Sequence, residues 1–265
     1  MTKVVFLGTN TYPRDRESTS ILIDNGEEKI VLDCCGGILK QLDRSSCNPA
    51  EIGHVFLSHV HGDHILGLPW LLMGSFIMRT QYNVRGVSSI SIYGAKEVCD
   101  AAFKIAQTCF AKPMDALQKM VRLRLVAIDG ENQIRISDNC LLQPIPAKHS
   151  TPTFGCKILF EKPSVSIVYS ADTRPNEALA AIAQEADLLI HDAYVEDSRK
   201  EFALRTYHST AKEAAEIAES ARARTLALVH ISEEYHGKEN VLLEEARKIF
   251  KGRTILPHDL ESLTF

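Results

Sequence analysis

Along the first sixty residues the apolar positions come in short runs, at 3–7, 20–24, 29–33 and 54–58, each closed by a turn signal. Runs of this length, rich in Val, Ile and Leu, predict strands. The same pattern places further strands at 89–93, 121–128, 141–147, 156–160, 165–169, 187–190 and 225–229. Helical spacing takes over between them. Residues 36–44 read as a helix, and the longest apolar stretch, 65–78, in which Pro69 and Gly74 interrupt the apolar run, as a core helix. The clearest helix is 211–221, where Ala214, Ala215, Ile217, Ala218 and Ala221 share a face and Thr210 with Glu213 makes a capping-box pattern. Strands in a run that then alternate with helices predict an α/β chain whose sheets are covered outside by helices.

The 265 residues are 45% apolar and 24% charged, which excludes collagen-like, low-complexity and largely disordered chains. No repeat, long linker or charge block divides them, so a single domain over 1–265 is expected. Lys+Arg 30 against Asp+Glu 34 gives a formal charge of -4, with no surplus for a broad basic face on DNA or RNA. The apolar run at 4–7 is too short for a signal peptide, and no stretch is long enough to span a bilayer. Seven Cys, at 34, 35, 47, 99, 109, 140 and 156, are an odd number without C-x-x-C spacing. That argues against a disulfide framework and a zinc ribbon and suits a reducing, cytoplasmic setting.

The chemistry gathers in Leu57-Ser58-His59-Val60-His61-Gly62-Asp63-His64, after a predicted strand and before an apolar helix. Residues two apart in an extended segment project to the same side, so His59 and His61 can converge on one ion. Asp63 and His64, displaced by the turn that Gly62 permits, can reach a second. Packing alone has no use for four such groups together. Three more potential ligands follow predicted strands: His149 after 141–147, Asp172 after 165–169 and His230 after 225–229.

These motifs resemble the metallo-β-lactamase superfamily of binuclear zinc hydrolases and, within it, the ribonuclease Z-like branch. The matching runs are Phe6-Leu7-Gly8-Thr9, Asp33-Cys34, Ser58 to Leu68, Lys148-His149-Ser150, Tyr169 to Pro175, His191-Asp192-Ala193, His208-Ser209-Thr210-Ala211 and Leu228 to Ser232. The resemblance implies a four-layer αβ/βα sandwich. It also implies His59, His61 and His149 on one Zn2+, Asp63, His64 and His230 on a second, and Asp172 bridging both. Lactam-hydrolysing relatives commonly have Cys where Asp172 falls, and flavo-diiron relatives an acidic residue where His61 stands. Neither change occurs here. The imidazole-rich set suits zinc, with Mn2+ or Fe2+ as alternatives.

Two divalent ions, Asp63, Asp172 and a bridging hydroxide would sum to a local charge of about +1, attractive to a phosphodiester attacked by that hydroxide. The resemblance adds His208 as the catalytic histidine that protonates the leaving oxygen. Asp192 stands where the branch usually carries Glu and would orient and charge His208. The catalytic group is thus Asp63, His208 and Asp192. Asp33 would support the His loop, Arg174 is a candidate phosphate contact although Pro175 after it equally signals a helix start, and Cys34 and Cys35 read as buried and inert. His54, His236 and His258 read as structural or surface residues.

The tRNA-processing members carry an arm between the positions of His149 and Asp172, an interval of 23 residues here. Two strands with a turn at 161–164 fill it. A small or cyclic phosphodiester is therefore the expected substrate. A ribonuclease Z-type tRNA 3′ endonuclease is the alternative, and a non-catalytic zinc-binding regulator the third reading. Segment 73–87, with Arg79 and Arg85, is either a substrate loop or a plain connection. The resemblance also suggests a homodimer.

Overall fold

Strands form at the apolar runs and at three further short segments, and two units each gather seven of them into a mixed sheet in the computed structural model, which describes residues 1–11, 15–110 and 122–265. The first unit is Met1–Asp129 with His258–Thr264. It holds β1 (Lys3–Gly8), β2 (Ser20–Asp24), β3 (Lys29–Leu32), β4 (His54–Phe56), β5 (Ser89–Ala95), β6 (Arg122–Ile128) and a C-terminal strand, Ser262–Thr264. The C-terminal strand pairs with β1, and the order runs on to β6 in sequence. Neighbours are antiparallel as far as β3 and parallel from β3 to β6. Among the described residues the helices of this unit are α1 (Ile38–Arg44), α2 (Gly62–Ile65), α3 (Leu68–Thr80) and α4 (Lys96–Phe110).

The second unit, Gly130–Pro257 with Phe265, repeats the plan. Here β7 (Ile134–Ser137), β8 (Cys140–Pro146), β9 (Phe154–Glu161) and β10 (Ser164–Tyr169) form an antiparallel meander. Parallel strands β11 (Leu188–Asp192), β12 (Thr225–Val229) and β13 (Arg253–Ile255) continue the sheet beyond β10. Helices α5 (Glu177–Ile182), α6 (Lys200–Arg205), α7 (Ala211–Ser220) and α8 (Asn240–Ile249) complete it. Every residue of β11 and β12 is buried, as expected of parallel strands covered on both faces. Ala211, Ala214, Ala215 and Ala218 of α7 share a core with Leu189, Leu226 and Leu228, small side chains that let the helix approach closely.

The capping box at Thr210 forms, with the hydroxyl accepting the Glu213 N–H at 3.2 Å and the Glu213 carboxylate accepting the Thr210 N–H at 3.0 Å. The helix expected over 65–78 divides, Ile65 ending α2 and α3 starting at Leu68, while Pro69 and Gly74 both lie within α3. Pro69 stands in the first turn of α3, where no N–H is needed, and a Cβ on Gly74 would lie 2.4 Å from Leu39. The predicted strand at 121–128 starts at Arg122 among the described residues, Val121 lying outside them. The predicted strand at 187–190 extends to Asp192, so His191 and Asp192 belong to the sheet. Among the described residues no helix is long and apolar enough to cross a membrane.

Candidate metal centre

In the first unit the histidine loop leaves β4 and is held by the residue that follows β3. Asp33 is wholly buried, with a left-handed φ of 57°. Its Oδ1 accepts the Ser58 N–H at 2.7 Å, and its Oδ2 accepts the Ser58 hydroxyl at 2.7 Å and lies 2.8 Å from His64 Nδ1. A His64 proton held at Nδ1 by this carboxylate makes Nε2 the lone-pair atom, the orientation a metal needs. Ser58 Oγ is 2.9 Å from His59 Nδ1, and His59 Nε2 is 3.0 Å from His61 Nδ1. Asp63 Oδ2 approaches His64 Nε2 to 3.2 Å. The loop is also stapled through its backbone: Cys34 donates to the His64 carbonyl at 2.7 Å, and Gly67 donates to Cys34 at 3.1 Å. A Cβ on Gly67 would fall 2.0 Å from the Cys35 carbonyl, so only glycine allows that approach.

The second unit brings the later residues together. His149 Nδ1 is 3.1 Å from the Tyr207 carbonyl, which fixes its proton there and turns Nε2 towards Asp172, 4.0 Å away. Asp172 Oδ2 is 3.2 Å from His230 Nε2. Ligand atoms of Asp172, His208 and His230 all lie within 4.8 Å of one another. His208 points Nδ1 at Asp192 Oδ2, 3.0 Å away, and that oxygen also accepts the backbone N–H groups of Thr173 and Ser209. Two residues that lead into this cluster, Ala171 (φ 55°) and Tyr207 (φ 65°), and the ligand candidate His230 (φ 60°) are left-handed without being glycine. Such conformations cost on the order of 1–3 kcal/mol each and persist where the surroundings over-determine them. The imidazole and carboxylate donors suit a divalent metal, and the bonds at Nδ1 of His64 and His149 leave Nε2 as the coordinating atom in both.

A family model described as the β-lactamase superfamily domain matches residues 28–231. The chain belongs to that superfamily. Ribonuclease Z of Halorubrum lacusprofundi is 30% identical, covering 97% of this chain and 95% of its own, which places the chain in the ribonuclease Z-like branch. Ribonuclease Z of Haloarcula marismortui is 29% identical, with 97% and 94% covered. The metallo-β-lactamase fold protein YhfI from Bacillus subtilis superposes with a TM-score of 0.80 at 20% identity, over 99% of this chain and 98% of that one. The expected fold class therefore holds, and this metallo-β-lactamase-fold chain is a metal-dependent hydrolase. Its alignment to the Haloarcula relative has 295 positions, whereas 97% of 265 residues is about 257, so about 38 positions are filled by the relative alone. The form without the arm fits that difference.

Arg174 has a different partner from the phosphate that the sequence suggested. The Arg174 guanidinium donates from Nε to the Leu204 carbonyl at 2.7 Å, bonds it again from Nη2, and lies 4.0 Å over the Tyr207 ring. It braces the loop that carries His208 rather than standing ready for phosphate. Arg79 is likewise engaged, donating to the Ala50 and Val87 carbonyls, and its half of segment 73–87 is helix α3. Pro175 precedes a helix capped by Asn176. His54 bridges Tyr93 and Glu28 at 3.0 Å each, the structural role expected of it. Burial pushes the Cys34 thiol well up and Cys35 up to about 12, which keeps both protonated. Tyr194, which sequence reasoning passed over, packs on His208 with 4.4 Å between ring centroids. Its only signal was its place one residue beyond His191-Asp192-Ala193.

Proposed function

We propose that the chain hydrolyses a small or cyclic phosphodiester with two divalent ions. His59, His61 and His149 serve one ion, Asp63, His64 and His230 the other, and Asp172 both. The order of these motifs along the chain and superfamily membership support the assignment, and the donor set favours zinc. When bound, the ions supply an activated water at neutral pH and hold the phosphoryl oxygens. The residues of the chain do the rest. His208, charged and oriented by Asp192, donates its Nε2 proton to the departing oxygen. Asp33 and the Tyr207 carbonyl keep His64 and His149 in the tautomer that presents Nε2.

One observation carries the choice of a small substrate. From β8 through β9 to β10 the chain runs as consecutive antiparallel strands, and between His149 and Asp172 it makes only β9, one turn and β10. No arm is present there to reach along an RNA. A second reading, a tRNA 3′ endonuclease, is favoured by the name ribonuclease Z of relatives matched over nearly their whole length.

One metal-loaded preparation assayed on bis(p-nitrophenyl) phosphate, on cyclic nucleotides and on a 3′-extended precursor tRNA decides between them. Turnover of the small diesters is expected. Cleavage of the precursor alone would replace the first reading by the second.

A further inference from the structure

Five side chains of the second unit pack in a chain of ring contacts. The Arg199 guanidinium sits 4.4 Å over the Phe202 ring, and Phe202 stacks on Tyr194 at 5.9 Å and 19°. Tyr194 lies on His208 at 4.4 Å and 33°, and His208 on His230 at 5.1 Å and 21°. The far end is anchored, because Arg199 also pairs with Glu234. The backbone of Tyr194 joins the two histidine loops: its N–H donates to Ser209 at 2.9 Å, and its carbonyl accepts the Ser232 N–H at 3.0 Å.

A hydrogen bond at one nitrogen does not fix an imidazole. Asp192 holds Nδ1 of His208, yet the ring can still rotate about that bond, which carries Nε2 by on the order of 1 Å, a misplacement that can cost a reaction about 100-fold. Packing against the ring limits that rotation. Tyr194 lies on the His208 ring at 4.4 Å and His230 beside it at 5.1 Å; the Tyr194 and His230 centroids are themselves 6.2 Å apart, so the two rings press on His208 from adjacent directions, Tyr194 the nearer. We infer that Tyr194 is the positioning residue for His208, its ring setting the plane in which Nε2 is delivered, with Phe202 and Arg199 bracing it from behind. The inference deepens the proposed function and rests on His208 as the proton donor.

The test pairs Tyr194→Ala with Tyr194→Phe, which keeps the ring. Each is loaded with zinc and assayed on a cyclic nucleotide, or on a 3′-extended tRNA should only RNA be cut, and on bis(p-nitrophenyl) phosphate. An alkoxide must be protonated as it leaves, whereas p-nitrophenolate needs little help. Tyr194→Ala is expected to lose about 10- to 100-fold in kcat on the alkoxide-leaving substrate and less than about threefold on the nitrophenyl ester. KM and zinc content are expected to hold, and Tyr194→Phe to recover the rate. In the metal-free protein the His208 ring resonances are expected to be sharp in the parent and in Tyr194→Phe and broadened by ring reorientation in Tyr194→Ala.

Equal losses on both substrates, a loss of zinc, or an unchanged kcat would overturn the inference. If His208→Ala were fully active with normal zinc, the proposed function would lose its proton donor, and the line-width measurement would still decide whether Tyr194 positions the ring. Should Tyr194→Ala not fold, Tyr194→Leu takes its place with the same expectations.

Discussion

Asp192 Oδ2 receives three donors at once: His208 Nδ1 at 3.0 Å, the Thr173 N–H at 3.2 Å and the Ser209 N–H at 3.3 Å. A single buried oxygen thereby ties the segment after Asp172 to the segment that carries His208. Asp192→Asn keeps an acceptor there but removes the charge. It is expected to lower kcat on an alkoxide-leaving diester by about 10- to 100-fold while zinc content holds. Asp192→Ala strands the two buried N–H groups as well, at about 1–3 kcal/mol each. A clear fall in the urea midpoint for Asp192→Ala, with none for Asp192→Asn, is the outcome that checks the difference.

Asp33 is to His64 what Asp192 is to His208, with Ser58 as its further partner. Asp33→Ala is expected to weaken metal binding by about 10- to 100-fold, the usual effect of losing a carboxylate behind a ligating imidazole. Competition against a chromogenic chelator measures it. Wild-type affinity in a folded Asp33→Ala protein would contradict the assignment of His64.

Arg174 braces rather than binds. Arg174→Lys loses both the paired bonds to Leu204 and the guanidinium contact on Tyr207, since an ammonium has neither the fork nor the plane. A loss of about 1–2 kcal/mol in stability is expected with KM unchanged. A KM raised more than about tenfold, with an unchanged denaturation midpoint, would return Arg174 to the substrate.

Acid should destabilise the fold partly through His191. Burial holds this wholly buried imidazole below its ordinary range, so it stays neutral when folded and takes up a proton only on unfolding. Its contribution is therefore fully present above the unfolded pKa of about 6.5 and falls as pH drops through it, by at most about 1.4 kcal/mol per pH unit. In His191→Asn the stability lost between pH 7 and pH 5 is expected to be smaller than in the parent. Equal slopes in the two proteins would mean that His191 takes up no proton on unfolding.

Removal of metal by dialysis against dipicolinate is expected to abolish hydrolysis and lower the melting temperature, because the ions bind only the folded chain. The far-UV circular dichroism is expected to stay, since each unit has its own buried sheet. Zinc added back should restore both activity and melting temperature.

Much of this was legible in the sequence, for identifiable reasons. Strands such as 20–24 and 225–229 were readable because residues 21–23 and 226–229 are unbroken apolar runs, and the capping box because Thr210 and Glu213 are three apart. The strand Ile134–Ser137 was not, since its half-exposed IRIS pattern carries too little apolar signal. The strands Arg253–Ile255 and Ser262–Thr264 are three residues each, too short for any period to show. At the site, H-x-H-x-D-H announced itself because its donors are crowded in sequence. Arg174 and Tyr194 had no such mark. Their roles come from Leu204, Tyr207 and His208, which lie from 14 to 33 positions away and meet them only through tertiary packing.

The left-handed residues at and beside the ligand candidates, Asp33, Ala171, Tyr207 and His230, bear on how fast an ion can be taken up. An unfolded chain seldom visits such backbone angles, so the donor atoms are aimed by folding itself, ahead of any encounter. Loading should then proceed at the pace at which an ion sheds its water, with no slow ordering of the chain in the rate.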